Sequence, residues 1–340
     1  LRISSARVEM IRLDSCKFLT DFEVIEDIKL QHFDSEIKVN GANELLKQKR
    51  VLSSNYKIIG LKNIEVTTNN LIIELSAKIL KENYYEGINK NTVSQMVDNI
   101  NGCKSIKLNT NKFLDSAKVL RCDVTDNLKV KNNVNDYLSL LNTYKVNSDY
   151  LVSFYNRKAG SSIVFDRNVK SYKERLTLYD KEKEIYRDKE LIKLFDQEAL
   201  NRFNNVLRCE QNIVSFSKIR EKLHINSIDL KDVLNSKELV NYNTFTNITK
   251  ENKALTLFNS YKDKDLKYII RLYGMRHIIE ELEYDFSLIK QLIREHYNGN
   301  GCSYWYKNFA ILMREMKQEK KNYNSAMEAI NEISDLLKVA

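Results

Sequence analysis

One face of a strand-like stretch in this chain carries a tyrosine among cations. Residues 171–181 read Ser-Tyr-Lys-Glu-Arg-Leu-Thr-Leu-Tyr-Asp-Lys. Side chains two apart on a strand point the same way. Leu176 and Leu178 therefore share one face, and Lys173, Arg175, Thr177, Tyr179 and Lys181 share the other. A phenol is a poor nucleophile at neutral pH, but positive neighbours favour both its phenolate and the charge that builds on an attacked phosphorus. Such a face suits chemistry on phosphate. For an isolated strand the plainer reading, a half-buried strand with a solvated basic face, comes first.

Three further strand-like runs set an acid opposite their apolar residues. Around Glu74, the residues Leu71, Ile73 and Leu75 face away from the carboxylate. Around Asp123, the same holds for Leu120, Cys122 and Val124, with Arg121 on the acid's side. Around Glu210, it holds for Leu207 and Cys209, with Arg208 and Asn212 on the acid's side. If these strands join one sheet in register, Glu74, Asp123, Glu210 and Tyr179 converge. Two or three carboxylates holding Mg²⁺ or Mn²⁺ would then polarise a phosphate. Lys181 and Arg175 would stabilise charge, and Arg121, Arg208 and Lys173 would contact DNA. The plain alternative pairs Arg121 with Asp123 and Arg208 with Glu210 as surface ion pairs, worth about 0–1 kcal/mol each. The four histidines, His32, His224, His277 and His296, form no two-histidine metal motif.

The elements that must hold these residues can be read from periodicity. Strand patterns cover 7–13, 56–65, 70–76, 118–125, 149–155, 161–165, 171–181 and 206–214. Helical patterns cover 91–101 and 135–141. After about His224 the apolar spacing turns helical, over 229–239, 249–261, 266–282, 286–296, 304–316 and 324–337. The expected architecture is α+β: an antiparallel-rich sheet domain of the nickase or relaxase kind over 1–226, then a helical domain over 227–340. No Gly-rich phosphate loop is present, which argues against nucleotide-driven chemistry of that type.

With 340 residues, 43% hydrophobic and 30% charged, the chain can bury a large core. Its net charge of +9 fits a polyanionic partner. Proline is absent and glycine numbers only 8, as expected of an AT-rich coding sequence, so Asn must supply many turns. The five cysteines are scattered without a C-x-x-C pair, which fits a reducing cytoplasm. No stretch reads as a membrane helix or a secretory leader.

Taken in order, four stretches resemble the phage and plasmid rolling-circle replication initiators typified by the gene two protein of filamentous phages. They are 73–80 with Glu74, the Arg-x-Asp run at 121–123, the Tyr-x-Lys run at 179–181 and the Arg-x-Glu run at 208–210. Residues 1–55 take no clear part in the likeness. The resemblance implies that one strand of a double-stranded origin is exposed and nicked. The 5′ phosphate stays on Tyr179 and the displaced strand is later rejoined. Asp123, Glu210 and Glu74 would be metal candidates. The helical domain would bind origin duplex or organise an oligomer, in the cytoplasm of a bacterial host. No helicase motif is present, so a host helicase would separate the strands. A second reading is a non-catalytic origin- or partition-type DNA-binding protein. A tyrosine recombinase is disfavoured, because Arg276-His277 has no arginine three residues after the histidine.

Overall fold

Apolar–polar alternation over most of the first two-thirds of the chain produces strands that bury one face. In the computed structural model, residues 10–39, 45–147, 149–157, 160–169, 172–250, 264–297 and 301–340 are described. The strands are β1 (Leu13–Asp21), β2 (Ile25–Ile28), β3 (Phe33–Val39), β4 (Leu45–Leu52), β5 (Leu61–Val66), β6 (Asn70–Ser76), β7 (Ile106–Leu108), β8 (Lys118–Lys129), β9 (Leu151–Arg157), β10 (Gly160–Val169), β11 (Tyr172–Asp180) and β12 (Val206–Ile213). Ten of them form one sheet in the order β3-β4-β5-β6-β1-β8-β12-β11-β10-β9, and β2 pairs with β7 apart from it. Every adjacent pair is antiparallel. The α+β class expected from the pattern is therefore the observed one.

Helices α1 (Val93–Asn101) and α2 (Thr110–Ser116) bring Val93, Met96, Val97, Ile100 and Phe113 to the core beside Phe18, Ile73 and Leu75. The expected helix over 91–101 is α1, but its entry is held by Asn89. The Asn89 Oδ1 accepts from the backbone N–H groups of Asn91 and Thr92, at 2.8 and 3.2 Å. After α3 (Val134–Thr143), three short helices follow β11: α4 (Lys181–Arg187), α5 (Lys189–Ile192) and α6 (Gln197–Asn201). Beyond β12 come α7 (Phe216–Leu223), α8 (Leu230–Asn235) and α9 (Val240–Thr249). Leu230, Val233 and Val240 join the core of the sheet.

Backbone contacts divide the chain into two units. The first comprises Leu1–Leu138, Asp149–Ile248 and Glu332–Ala340, and the second Ser139–Ser148 and Thr249–Asn331. In the second, α10 (Leu266–Glu281), α11 (Phe286–His296) and part of α12 (Cys302–Val339) pack Met275, Ile279, Ile289, Ile293, Phe309, Leu312 and Met316 together. The helices expected over 304–316 and 324–337 are one continuous helix, α12. Most of the helix expected over 249–261 lies outside the described residues. Of the strand expected over 7–13, residues 7–9 also lie outside them, 10–12 are irregular, and β1 begins only at Leu13. Strands β2, β3, β4 and β7 have no counterpart in the sequence pattern.

Two irregularities bear on the site. β1 shifts register against β8 between Leu13 and Cys16, and again between Lys17 and Phe18. The second shift buries Val119 and leaves Leu120 half-buried, whereas strict alternation put Leu120 on the core face. The first shift frees Asp14 to face the acids on the opposite side of the sheet.

Candidate active site

Cross-strand register assembles the candidate residues in rows. Asn127, Arg208, Tyr179, Ser162 and Tyr155 lie opposite one another across β8, β12, β11, β10 and β9. The next row is Thr125, Glu210, Thr177, Val164 and Ser153, and the third is Asp123, Asn212, Arg175, Asp166 and Leu151. Directly opposed residues share a face. Tyr179, Glu210 and Asp123 are thus brought to one side of the sheet, opposite the side that buries Leu176, Leu178, Cys209 and Cys122. Glu74 is on β6, across from Lys17, with β1 and β8 between it and β12. At roughly 4.8 Å per strand this separates its backbone from that of Glu210 by about 14 Å. Its neighbour is Arg121, whose guanidinium stands 4.0 Å from Glu74 Oε1.

Tyr179 is half-buried, and its hydroxyl donates to Glu210 Oε2 at 3.0 Å. Burial raises the Tyr179 pKa well above its usual value, and the Glu210 charge raises it further. The phenol is therefore neutral near pH 7, and any attack by its oxygen needs a proton acceptor. Glu210 is placed to be that acceptor. Burial, then the Asp14 and Asp123 carboxylates, push its pKa up to about 7. Burial likewise raises Asp123, against the opposing effects of Asn212, which hydrogen-bonds it, and Arg121.

The cations stand differently from the strand reading. β11 ends at Asp180, whose carboxylate caps α4 by accepting from Lys183 N at 3.1 Å. Lys181 begins that helix, yet its Nζ still lies 5.5 Å from the centre of the Tyr179 ring. It is fully buried and donates to Tyr84 OH and Glu184 Oε2, each at 2.5 Å. Burial and the adjacent Arg208 charge lower it to about 8, against Asp14 and Glu184. Arg208, expected from sequence to contact DNA, is 0% exposed. Its Nη1 donates to Asp14 Oδ1 at 3.0 Å and its Nε to Asn127 Oδ1 at 2.8 Å, so it serves the interior instead. Arg175 remains near the surface, with both ends of its guanidinium donating to Asp166 at 2.8 and 3.0 Å. Arg121 is also partly exposed. The Lys173 side chain lies outside the described part.

Sequence reasoning missed Asp14 and Tyr84. Burial raises the Asp14 pKa, but Arg208 and Lys181 together hold it below the usual value. The only sequence signal for Asp14 is an acid between Leu13 and Cys16 in a run that buries both. Tyr84 sits in a 3-10 segment (Ala77–Glu86) kinked at Lys81, where no periodicity marks it. Its ring packs with Phe195 and Phe203 and lies under Arg208 and Lys181.

A cleft of about 450 Å³ opens beside Tyr179, lined by Tyr155, Ser162, Arg175, Thr177, Arg187 and their neighbours. No group of three or more His, Cys, Asp or Glu among the described residues is placed to hold a metal ion. A two-carboxylate site is compatible with the residues present. Asp123 and Glu210 are diagonal neighbours on adjacent strands, and directly opposite Glu210 the buried Thr125 hydroxyl has no hydrogen-bond partner. Mg²⁺ commonly takes one or two protein carboxylates and completes its shell with phosphate and water.

The large antiparallel sheet thus sets a tyrosine, a glutamate and buried cations beside an open cleft. The family model described as the N-terminal region of the replication-associated gene two protein matches residues 26–229. That is more than half of the chain, which belongs to this family of phage replication-associated proteins. The match begins after Asp14. No curated protein and no solved structure matches the chain. No helix among the described residues is long and apolar enough to cross a membrane.

Proposed function

We propose that the protein initiates rolling-circle replication by nicking and rejoining one origin strand through Tyr179. The observation that carries this reading is the 3.0 Å hydrogen bond from the Tyr179 hydroxyl to Glu210 at the edge of an open cleft. As the tyrosine oxygen attacks the scissile phosphorus, its proton passes to Glu210. The P–O3′ bond breaks, and the departing 3′ oxygen takes a proton from solvent and becomes a primer hydroxyl. The 5′ phosphate remains on Tyr179 as a phosphodiester, which keeps the bond energy for rejoining. In rejoining, a 3′ hydroxyl gives its proton to solvent as its oxygen attacks that phosphorus, the P–O bond to Tyr179 breaks, and the phenol recovers its proton from Glu210.

Lys181 acts through its field on the developing phenolate, since its ammonium is held by Tyr84 and Glu184. Arg208 and Asp14 fix the floor under the tyrosine. Asp123 and Glu210 would hold a bound Mg²⁺ or Mn²⁺, which would neutralise charge on the phosphate. Glu74 is the weaker ligand candidate, because β1 separates its strand from the β8 strand of Asp123. Strand separation past the nick is assigned to a host helicase.

The test is incubation with a labelled single-stranded origin oligonucleotide and Mg²⁺ or Mn²⁺, followed by denaturation. The wild-type chain should retain the 5′ phosphate covalently. Tyr179→Phe should bind the oligonucleotide and form no adduct. An adduct on the Phe variant, or none on the wild type with either metal, would overturn the proposal.

A further inference from the structure

The cleft beside Tyr179 has a second aromatic wall. Tyr155 on β9 stands in the same row as Tyr179, with Ser162 of β10 between them. Two strand spacings of roughly 4.8 Å put the backbones of the two tyrosines about 10 Å apart. The residue between them is small, so the space above it stays open. Tyr155 is 42% exposed, well above the half-buried Tyr179.

The floor continues through Ser161 and Gly160. Gly160 adopts a φ of +119°, and a Cβ there would lie 3.3 Å from Lys183 Cβ, so the glycine lets β10 begin close against α4. The acids near the inner end are answered by lysines. Asp180 pairs with Lys183, and Glu184 with Lys181 and Lys78. The rim carries Arg175, bound to Asp166, and the exposed Arg187. An aromatic face, a small polar floor and an arginine rim are the means by which proteins hold unpaired nucleotides.

We propose that Tyr155 is a base-stacking platform for single-stranded DNA. It holds the base next to the scissile phosphate and thereby delivers that phosphate to Tyr179. The proposal rests on the nicking reading for its choice of substrate. It adds the subsite: one unpaired base against Tyr155, with Arg187 and Arg175 facing the neighbouring backbone. Stacking tolerates any base, because each presents a π-face, so this subsite sets single-strandedness rather than sequence.

The experiment uses the whole chain carrying Tyr179→Phe, so that no adduct forms, and a short fluorescein-labelled oligothymidylate. Adding Tyr155→Ala should weaken binding by about 5- to 100-fold, the cost of losing one stacked base. Tyr155→Trp should restore it. An abasic oligomer of equal charge should bind the parent and the Ala variant alike, whereas a purely structural role for Tyr155 would lower both. Thermal melting checks that each variant is folded. Equal oligothymidylate affinity for parent and Ala variant, no binding by the parent, or a loss that persists with the abasic oligomer would each overturn the proposal. Because no arm depends on covalent chemistry, its failure is separable from failure of the adduct assay with wild-type protein.

Discussion

Glu210 binds its proton more tightly than an exposed glutamate, and this makes pH a direct probe. With the folded-state pKa near 7, the base form gains population as pH rises through neutrality. Adduct formation should therefore rise with pH and level off, and a cation held by Glu210, which favours the carboxylate, should move that rise to lower pH. Glu210→Gln should slow it by roughly 10²- to 10⁴-fold, the usual contribution of a general base, and should flatten the pH dependence in single-turnover assays. Stability should move the opposite way. The folded state holds the Glu210 proton up to about pH 7, while an unfolded glutamate releases it near the ordinary value of 4.5. The wild type thus loses stability as pH rises from about 4.5 to 7, and Glu210→Gln does not lose that part. Denaturant melts of the two proteins should converge at low pH and separate above neutrality. At Arg208 the effect is one of burial. Removing the guanidinium leaves the half-buried Asp14 without its main counter-charge, and Arg208→Met should cost up to about 3 kcal/mol. Asp14→Asn in the Arg208→Met background should recover part of that loss, measured by urea unfolding.

Strands that alternate cleanly were legible, and the irregular connections between them were not. The β11 pattern put Tyr179 and Thr177 on the side away from Leu176 and Leu178, and the sheet has them so. The shared face of Asp123 and Glu210 follows from the same period-two rule. The expected place of Lys181 on the strand was wrong, because Asp180 ends the strand as a helix cap, and a cap is a local hydrogen bond rather than a periodicity. Asp14 escaped notice because a bulge turns it, and bulges depend on the partner strand. Tyr84 escaped because a 3-10 segment has no apolar repeat long enough to read. β3 and β4, rich in charge, lack the apolar alternation of β6. The same connections hold the least replaceable backbone. Gly60 has φ +83°, and a Cβ there would run into the backbone nitrogen of Ile79. Gly60→Ala should lower the melting temperature by several degrees, with a cost of at least ~1 kcal/mol expected where φ is positive and space is closed.

Across the whole molecule, the +9 net charge favours encounter with nucleic acid and makes binding depend on salt. For single strands the logarithm of affinity should fall with the logarithm of salt, by about 0.7 for each neutralised phosphate. Titrations of the Tyr179→Phe protein at increasing salt should give that decline, and a flat response would contradict a phosphate-dominated interface. The sheet order adds a consequence for timing. β1, which precedes the other described strands in the chain, ends up in the middle, between β6 and β8, and its Asp14 is the counter-charge to Arg208 on β12. A chain emerging from the ribosome must leave that slot open until distant sequence has been synthesised, since Cys16 pairs with Cys122 and Arg208 comes later still. The surroundings of Tyr179 are thus completed only late in synthesis. Nascent fragments lack the assembled pocket, which forms only when nearly the whole sheet has closed around a strand that was made long before its partners.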